Sequence, residues 1–230
     1  MPINVLVVAA HPDDEVLGVG GAVARHAESG DHVYALILAE GITARATMGC
    51  AQEKDGEIAT LQMAARKAAS VLGAQPPRFA GLADNQMDTV PLLEIVKYVE
   101  TAVAELEPTV VYTHHGGDLN IDHRITHQAV LTACRPIPES PVRAIYAFET
   151  ASSTEWASPG MSMVFAPNHF VDIECQLARK LQALECYASE MRAFPHARSI
   201  TAVESIARFR GTTVGVHAAE AFVSVRVITR

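Results

Sequence analysis

The stretch Ala10-His11-Pro12-Asp13-Asp14-Glu15 sets an imidazole and three carboxylates in five consecutive positions, all of types that bind divalent cations. An imidazole and a carboxylate three residues apart across a proline-fixed turn converge. A catalytic zinc needs three such protein ligands and an open position for water. A second concentration, Asp118-Leu119-Asn120-Ile121-Asp122-His123-Arg124, adds carboxylates, an amide and an imidazole. If the two stretches lie side by side, His123 completes a His-Asp-His set. His127 is one helical turn further on, a spacing found in some zinc sites. A lone histidine on a helix face is more often a hydrogen-bonded, partly buried group. His114 and His115 stand either as donors behind the ligands or as bonds that shape the loop.

Two competing readings attach to the first stretch. Acidic residues in a first helical turn also cap the helix and complement its dipole, and Glu15 is expected to do no more than that. The run Gly18-Val19-Gly20-Gly21 partly echoes a dinucleotide fingerprint. In that fingerprint, however, the glycines form the strand-to-helix turn and face a pyrophosphate, whereas here Asp13, Asp14 and Glu15 occupy the turn and repel an anion.

The elements that must position these side chains follow from the apolar periodicity. A strand over Asn4 to Ala10 leads into a helix from Glu15 to Ser29 that stops at Gly30. A strand from His32 to Ala39, a helix from Gln52 to Leu72 closed by Gly73, and a short strand from Arg78 to Leu82 come next. A helix to about Leu106 has Thr89 as N-cap and Pro91 in its first turn. Thr109 to Thr113 is the fourth strand, followed by a helix to about Cys134, and Arg143 to Phe148 is the fifth. The pattern predicts a Rossmann-like α/β fold with a mostly parallel sheet, its loops converging on one edge at the carboxyl ends of the strands. A strand near Met163 to Ile173, helices from Cys175 to Met191 and from Ser199 to Arg208, and a last strand from Ala221 to Ile228 read as an extension completing the same domain, about 151–230. One domain over 1–230 is expected.

A formal charge of −8 argues against nucleic acid or an anionic membrane surface as the main partner and favours a small solute. Cys50, Cys134, Cys175 and Cys186 show no CxxC spacing, so buried thiols in a reducing compartment are expected. The apolar run Val5 to Ala10 is far below the ~20 residues that span a bilayer, and a cytoplasmic location is expected.

These residues carry a resemblance. Ala10-His11-Pro12-Asp13-Asp14-Glu15 after an N-terminal strand, with Asn120-Ile121-Asp122-His123 beyond the fourth, resembles the PIG-L/LmbE-like family of zinc-dependent N-acetyl-sugar deacetylases. The likeness extends to Asp84-Asn85 with Asp88, to Ser152-Ser153-Thr154-Glu155-Trp156, to the segment Met191 to Ser199, and to Ala219-Glu220-Ala221-Phe222. It implies His11, Asp14 and His123 as ligands of zinc or another divalent metal and Asp13 as general base. Several relatives carry a histidine three residues before the last ligand. Here that position is Asn120, an amide able to donate to an oxyanion but unable to switch protonation state.

The expected activity is removal of acetyl from an N-acetylamino sugar, its glycoside or its nucleotide conjugate, a small-molecule substrate. Arg45, Asp84, Asp88, Glu155, Trp156, His196 and Arg198 fall in predicted loops and are candidates to meet the sugar, with Trp156 stacking on an apolar face and an arginine meeting a phosphate. A metal-dependent amidase acting on another acyl or sugar-amide conjugate shares the same site. A non-catalytic sugar- or nucleotide-binding module would use only the crevice. Homo-oligomerisation through the C-terminal region is left open.

Overall fold

The structure is a computed structural model that describes residues 1–43, 51–160 and 162–229. Seven strands form one sheet: β1 Asn4–Ala9, β2 His32–Ala39, β3 Arg78–Leu82, β4 Val110–His114, β5 Ala144–Phe148, β6 His169–Asp172 and β7 Ala219–Val227. Their order is β3-β2-β1-β4-β5-β7-β6. The first five run parallel, and β7 then pairs antiparallel with both β5 and β6. The helices are α1 Asp14–Glu28, α2 Ala51–Leu72, α3 Leu92–Leu106, α4 Ile121–Ala133, α5 Leu177–Glu185 and α6 Ile200–Thr212.

Strand β1 is central because every residue of it past Asn4 is buried, as a strand covered on both faces requires. Val5, Val7 and Ala9 point into a core shared with α1, α2 and α5, while Leu6 and Val8 point into a second core against α3 and α4. The sheet is therefore the middle of three layers. The chain leaves β1 through α1 to β2 on one side, whereas β4 lies on the other, with Val8 beside Thr113. Connections thus diverge at the carboxyl ends of β1 and β4, where such sheets form a crevice.

Three expected elements differ. The helix before Leu106 starts two residues later, with Pro91 in the N-cap position and Thr89 inside a separate 3₁₀ turn over Met87–Thr89. Of the stretch Met163 to Ile173, only His169–Asp172 is a strand, since Pro167 lacks the N–H a ladder needs. The helix expected from Cys175 to Met191 is confined to Leu177–Glu185, and turns follow it.

The glycines of α1 have a packing cause. A Cβ on Gly18 would lie 2.2 Å from the Phe148 ring, and one on Gly21 would lie 2.7 Å from Ile173. The N–H groups of Gly21 and Ala22 do meet an anion, but it is the protein's own: they donate to the Glu220 carboxylate at 2.8 and 2.7 Å. Lys180 Nζ neutralises that carboxylate and also donates to the Leu17 carbonyl at 2.8 Å. Cys134, Cys175 and Cys186 are free thiols, and only Cys134 is buried. Cys50 lies outside the described residues. Among the described residues, no helix is long and apolar enough to cross a membrane.

Candidate metal centre

The turn from β1 into α1 is short and buried. The Ala10 N–H donates to His114 Nε2 at 2.9 Å, tying the end of β1 to the end of β4. The His11 N–H donates to Asp14 Oδ2 at 2.9 Å, which folds the turn back on itself. His123, in the first turn of α4, brings its Nε2 to 3.3 Å from both Asp14 Oδ2 and His11 Nδ1. One donor atom each from His11, Asp14 and His123 falls within a mutual 4.8 Å. All three side chains are buried.

The far nitrogen of each histidine is oriented by acid. His11 Nε2 lies 3.1 Å from both Asp84 Oδ1 and Asp122 Oδ2, and Asp122 is itself fixed by the N–H groups of Asn85 and Met87 at 2.7 and 3.1 Å. His11, Asp84 and Asp122 also cluster closely enough for an ion. Because backbone N–H groups already occupy both Asp122 oxygens, that cluster reads as the support behind His11. His123 Nδ1 lies 3.0 Å from Asp118 Oδ1. Ser153 Oγ, Thr154 Oγ1 and the Asn120 N–H all donate to Asp118. Carboxylates behind ligating imidazoles fix tautomer and ring orientation in metal sites.

The electrostatics favour a cation. Burial would lower the His11 pKa, but contacts with Asp122, Asp14 and Asp84 raise it well above the usual value. His123 is likewise raised against burial, by Asp14 and Asp118. Burial would raise Asp14, yet His123 and His114 hold it well below the carboxylate range. His114 is lowered, first by burial and then by His123, whose ring it stacks on at 3.9 Å. The carboxylates gathered around the two imidazoles suit a divalent ion. Asp14 Oδ1 is buried without a hydrogen-bond partner, while its Oδ2 faces His11 Nδ1 at 3.2 Å and His123 Nε2 at 3.3 Å. Two imidazoles, one carboxylate and their acidic supports fit a zinc-type site with an open position.

Asp13 is arranged differently. Its Oδ2 accepts from Arg198 Nη1 at 2.8 Å, while its Oδ1 is buried and unpartnered. Burial raises its pKa to about 7, with Arg198 opposing and Asp14 adding to the rise. Glu15 is more than a helix start. Its carboxylate accepts the Asp13 N–H at 3.1 Å and the Tyr187 hydroxyl, and burial raises its pKa to about 8.

The remaining candidates differ in where they lie. Arg198 and Asp84 lie inside the site, the first on Asp13 and also on Ser152 Oγ at 2.7 Å. Asn120 caps α4: its Oδ1 accepts the Asp122 N–H at 2.8 Å and its Nδ2 donates to Asn85 Oδ1 at 3.0 Å. Trp156 and His196 meet edge-on at 5.9 Å, Trp156 exposed and His196 half-buried. Glu155 accepts the N–H groups of Ser152 and Ser153, and Asp88 is exposed in its 3₁₀ turn. Arg45 lies outside the described residues. His127 Nδ1 contacts the His114 carbonyl at 2.8 Å, and His115 Nε2 contacts the Met163 carbonyl at 2.8 Å, so both shape loops. Sequence reasoning missed Tyr187 and Glu190, which stand near Asp13 through Glu15 and Arg198. Isolated single residues far along the chain give no local signal.

A three-layer α/β fold with a metal-capable His-Asp-His set at its switch point defines the class. The chain belongs to the PIG-L family, described as GlcNAc-PI de-N-acetylase, whose profile matches residues 6–134. It is 29% identical to the uncharacterized deacetylase YaiS of Escherichia coli K12, over 81% of this chain and 91% of that protein. A probable N-acetyl-alpha-D-glucosaminyl L-malate deacetylase of Bacillus anthracis is 26% identical, covering 81% of each chain. The fold matches N,N'-diacetylchitobiose deacetylase from Pyrococcus horikoshii with a TM-score of 0.77 at 19% identity, over 97% of this chain and 84% of that one. It also matches GalB, a 4-carboxy-2-hydroxymuconate hydratase from Pseudomonas putida, with a TM-score of 0.78 at 22% identity, over 100% and 99%. The homologues found by sequence are deacetylases, while the fold alone accommodates a hydratase as well.

Proposed function

We propose that this protein is a metal-dependent amidohydrolase that removes acetyl from an N-acetylamino sugar, its glycoside or its nucleotide conjugate. The observation that carries it is the adjacent buried pair Asp13 and Asp14, each with one unpartnered oxygen, beside the converging nitrogens of His11 and His123. The sequence relatives support an amide of an amino sugar as the bond cleaved, where the fold alone does not choose.

His11, Asp14 and His123 would hold zinc or another divalent ion, which supplies Lewis acidity and a water activated near neutral pH. Asp13 takes the proton of the attacking water at Oδ1, the oxygen that Arg198 leaves free, and returns it to the departing amine. Asp118, Asp84 and Asp122 hold the two imidazoles in place while charge shifts. Asn120 Nδ2 carries a second hydrogen beyond the one given to Asn85, which it can offer to an oxyanion. Trp156 and His196 form a ring-lined edge suited to the apolar face of a sugar.

Acetate release from purified protein loaded with one equivalent of zinc, measured over a panel of N-acetyl glycosides and nucleotide sugars, tests this. Turnover on at least one member is expected. No acetate from any of them removes the substrate class.

A further inference from the structure

Asp13 has φ 107° and ψ −30°, a backbone conformation that side-chain-bearing residues rarely adopt. Such a conformation persists only where the surroundings over-determine it. What surrounds it can be named. The Asp13 carbonyl accepts the N–H groups of Val16 and Leu17 at 3.0 and 2.9 Å, which commits it to starting α1. The Asp13 N–H would then be left in a buried turn, and Glu15 Oε2 accepts it at 3.1 Å. The other oxygen of Glu15 accepts the Tyr187 hydroxyl. Glu15 and Tyr187 are both buried, and Tyr187 is fully so.

Tyr187 does not belong to a helix. It follows α5 in a turn, where its N–H donates to the Leu184 carbonyl at 2.9 Å and its carbonyl accepts the Glu190 N–H at 2.8 Å. The same turn places the Glu190 carboxylate 3.8 Å from Arg198 Nη1, the group that holds Asp13 Oδ2. One segment, Tyr187 to Arg198, therefore reaches Asp13 twice: at its backbone through Glu15, and at its side chain through Arg198.

We infer that Tyr187 is a positioning residue for Asp13: its hydroxyl fixes Glu15, and Glu15 fixes the left-handed backbone that aims the Asp13 carboxylate. The inference rests on the proposed deacetylase reading, in which Asp13 is the general base. The Arg198 contact alone cannot set that aim, because it holds only one oxygen at the end of a rotatable side chain.

Tyr187→Phe removes the hydroxyl and keeps the ring that fills the core. In the zinc-loaded enzyme it is expected to lower kcat about 10- to 100-fold, the scale of a misplaced catalytic group, with KM and zinc stoichiometry unchanged. A general loss of folding would instead lower the amount of zinc-loaded protein. A parental kcat, or a change confined to KM, overturns the inference and leaves the deacetylase reading standing. If the parent hydrolyses nothing, that reading falls and the crystal structure of Tyr187→Phe decides the inference alone. Asp13 leaving positive φ, with its contact to Arg198 lost or lengthened, supports it; Asp13 unchanged from the parent overturns it.

Discussion

Helix α1 meets buried carboxylates at its start and again at its middle, and the two places are completed differently. At the middle, the Glu220 oxygens accept from Gly21, Ala22 and Lys180, and the charge is fully paired. At the start, Asp13 and Asp14 each keep a buried oxygen with no partner. Buried polar groups are ordinarily satisfied, and leaving one unmade costs about 1–3 kcal/mol. The middle follows the general rule, while the start holds acceptors ready for an ion and a proton. Burial is the same in both; saturation separates the structural acid from the reactive one.

The largest effect should come from filling the open end. Asp13→Asn keeps the shape but cannot accept a proton, so kcat should fall about 10²- to 10⁴-fold, the usual worth of a positioned base. Zinc stoichiometry should stay at the parental value, because Asp13 is not among the converging donors. Acetate release with parallel metal analysis checks both. Retained turnover would erase the distinction between the two carboxylate sites.

At the saturated end the readout is stability. Lys180→Met leaves Glu220 buried without its cation, and breaking such a pair costs about 3–5 kcal/mol. Urea unfolding should show that loss, with kcat per folded molecule near parental. Adding Glu220→Gln removes the uncompensated charge and should recover part of it. A large kcat change at unchanged stability would mean that the middle of α1 is not merely structural.

Asp118 lies between the two cases: it is saturated by Ser153, Thr154 and the Asn120 N–H, yet directed at His123. Burial would raise its pKa, but His123 and the two hydroxyls bring it to about 2. Asp118→Asn should weaken zinc binding about 10- to 100-fold, as losses behind a ligating histidine do. Competition with a chelator measures this.

How much of this could be read in the sequence follows the range of each interaction. His11, Asp14 and His123 sit in short stretches of unusual composition, and β2 and β3 have the bounds that their apolar runs and flanking Gly and Pro indicate. Met163-Val164-Phe165 misleads because a β-rich run is also what an exposed loop can carry, and Pro167 ends any ladder there. Cys186 to Met191 reads as helix from its composition, but Tyr187 must turn in to reach Glu15, 172 residues earlier. The Gly-rich run in α1 invites an external phosphate. Its partner is Glu220, 199 residues from Gly21, and no local pattern announces it.

The smallest effect belongs to the far end of α1, where Asp31 faces His26 at 2.7 Å and accepts the Ile3 N–H at 3.0 Å. Burial would raise the Asp31 carboxyl, but His26 and that N–H hold it below its usual value. A carboxylate with a depressed folded pKa stabilises the fold above its unfolded value of about 4, and that contribution is lost as pH falls through the lower folded value. Asp31→Asn should therefore lower the melting temperature at pH 6 by no more than about 4 °C, the scale of a solvent-screened pair. The gap to the parent should close as pH falls below about 4. A gap that stays constant with pH would show that Asp31 acts through packing and its N–H bond alone. Charge pairing would then contribute less at this exposed end of α1 than in its middle, where Lys180 and Glu220 are shut away from water.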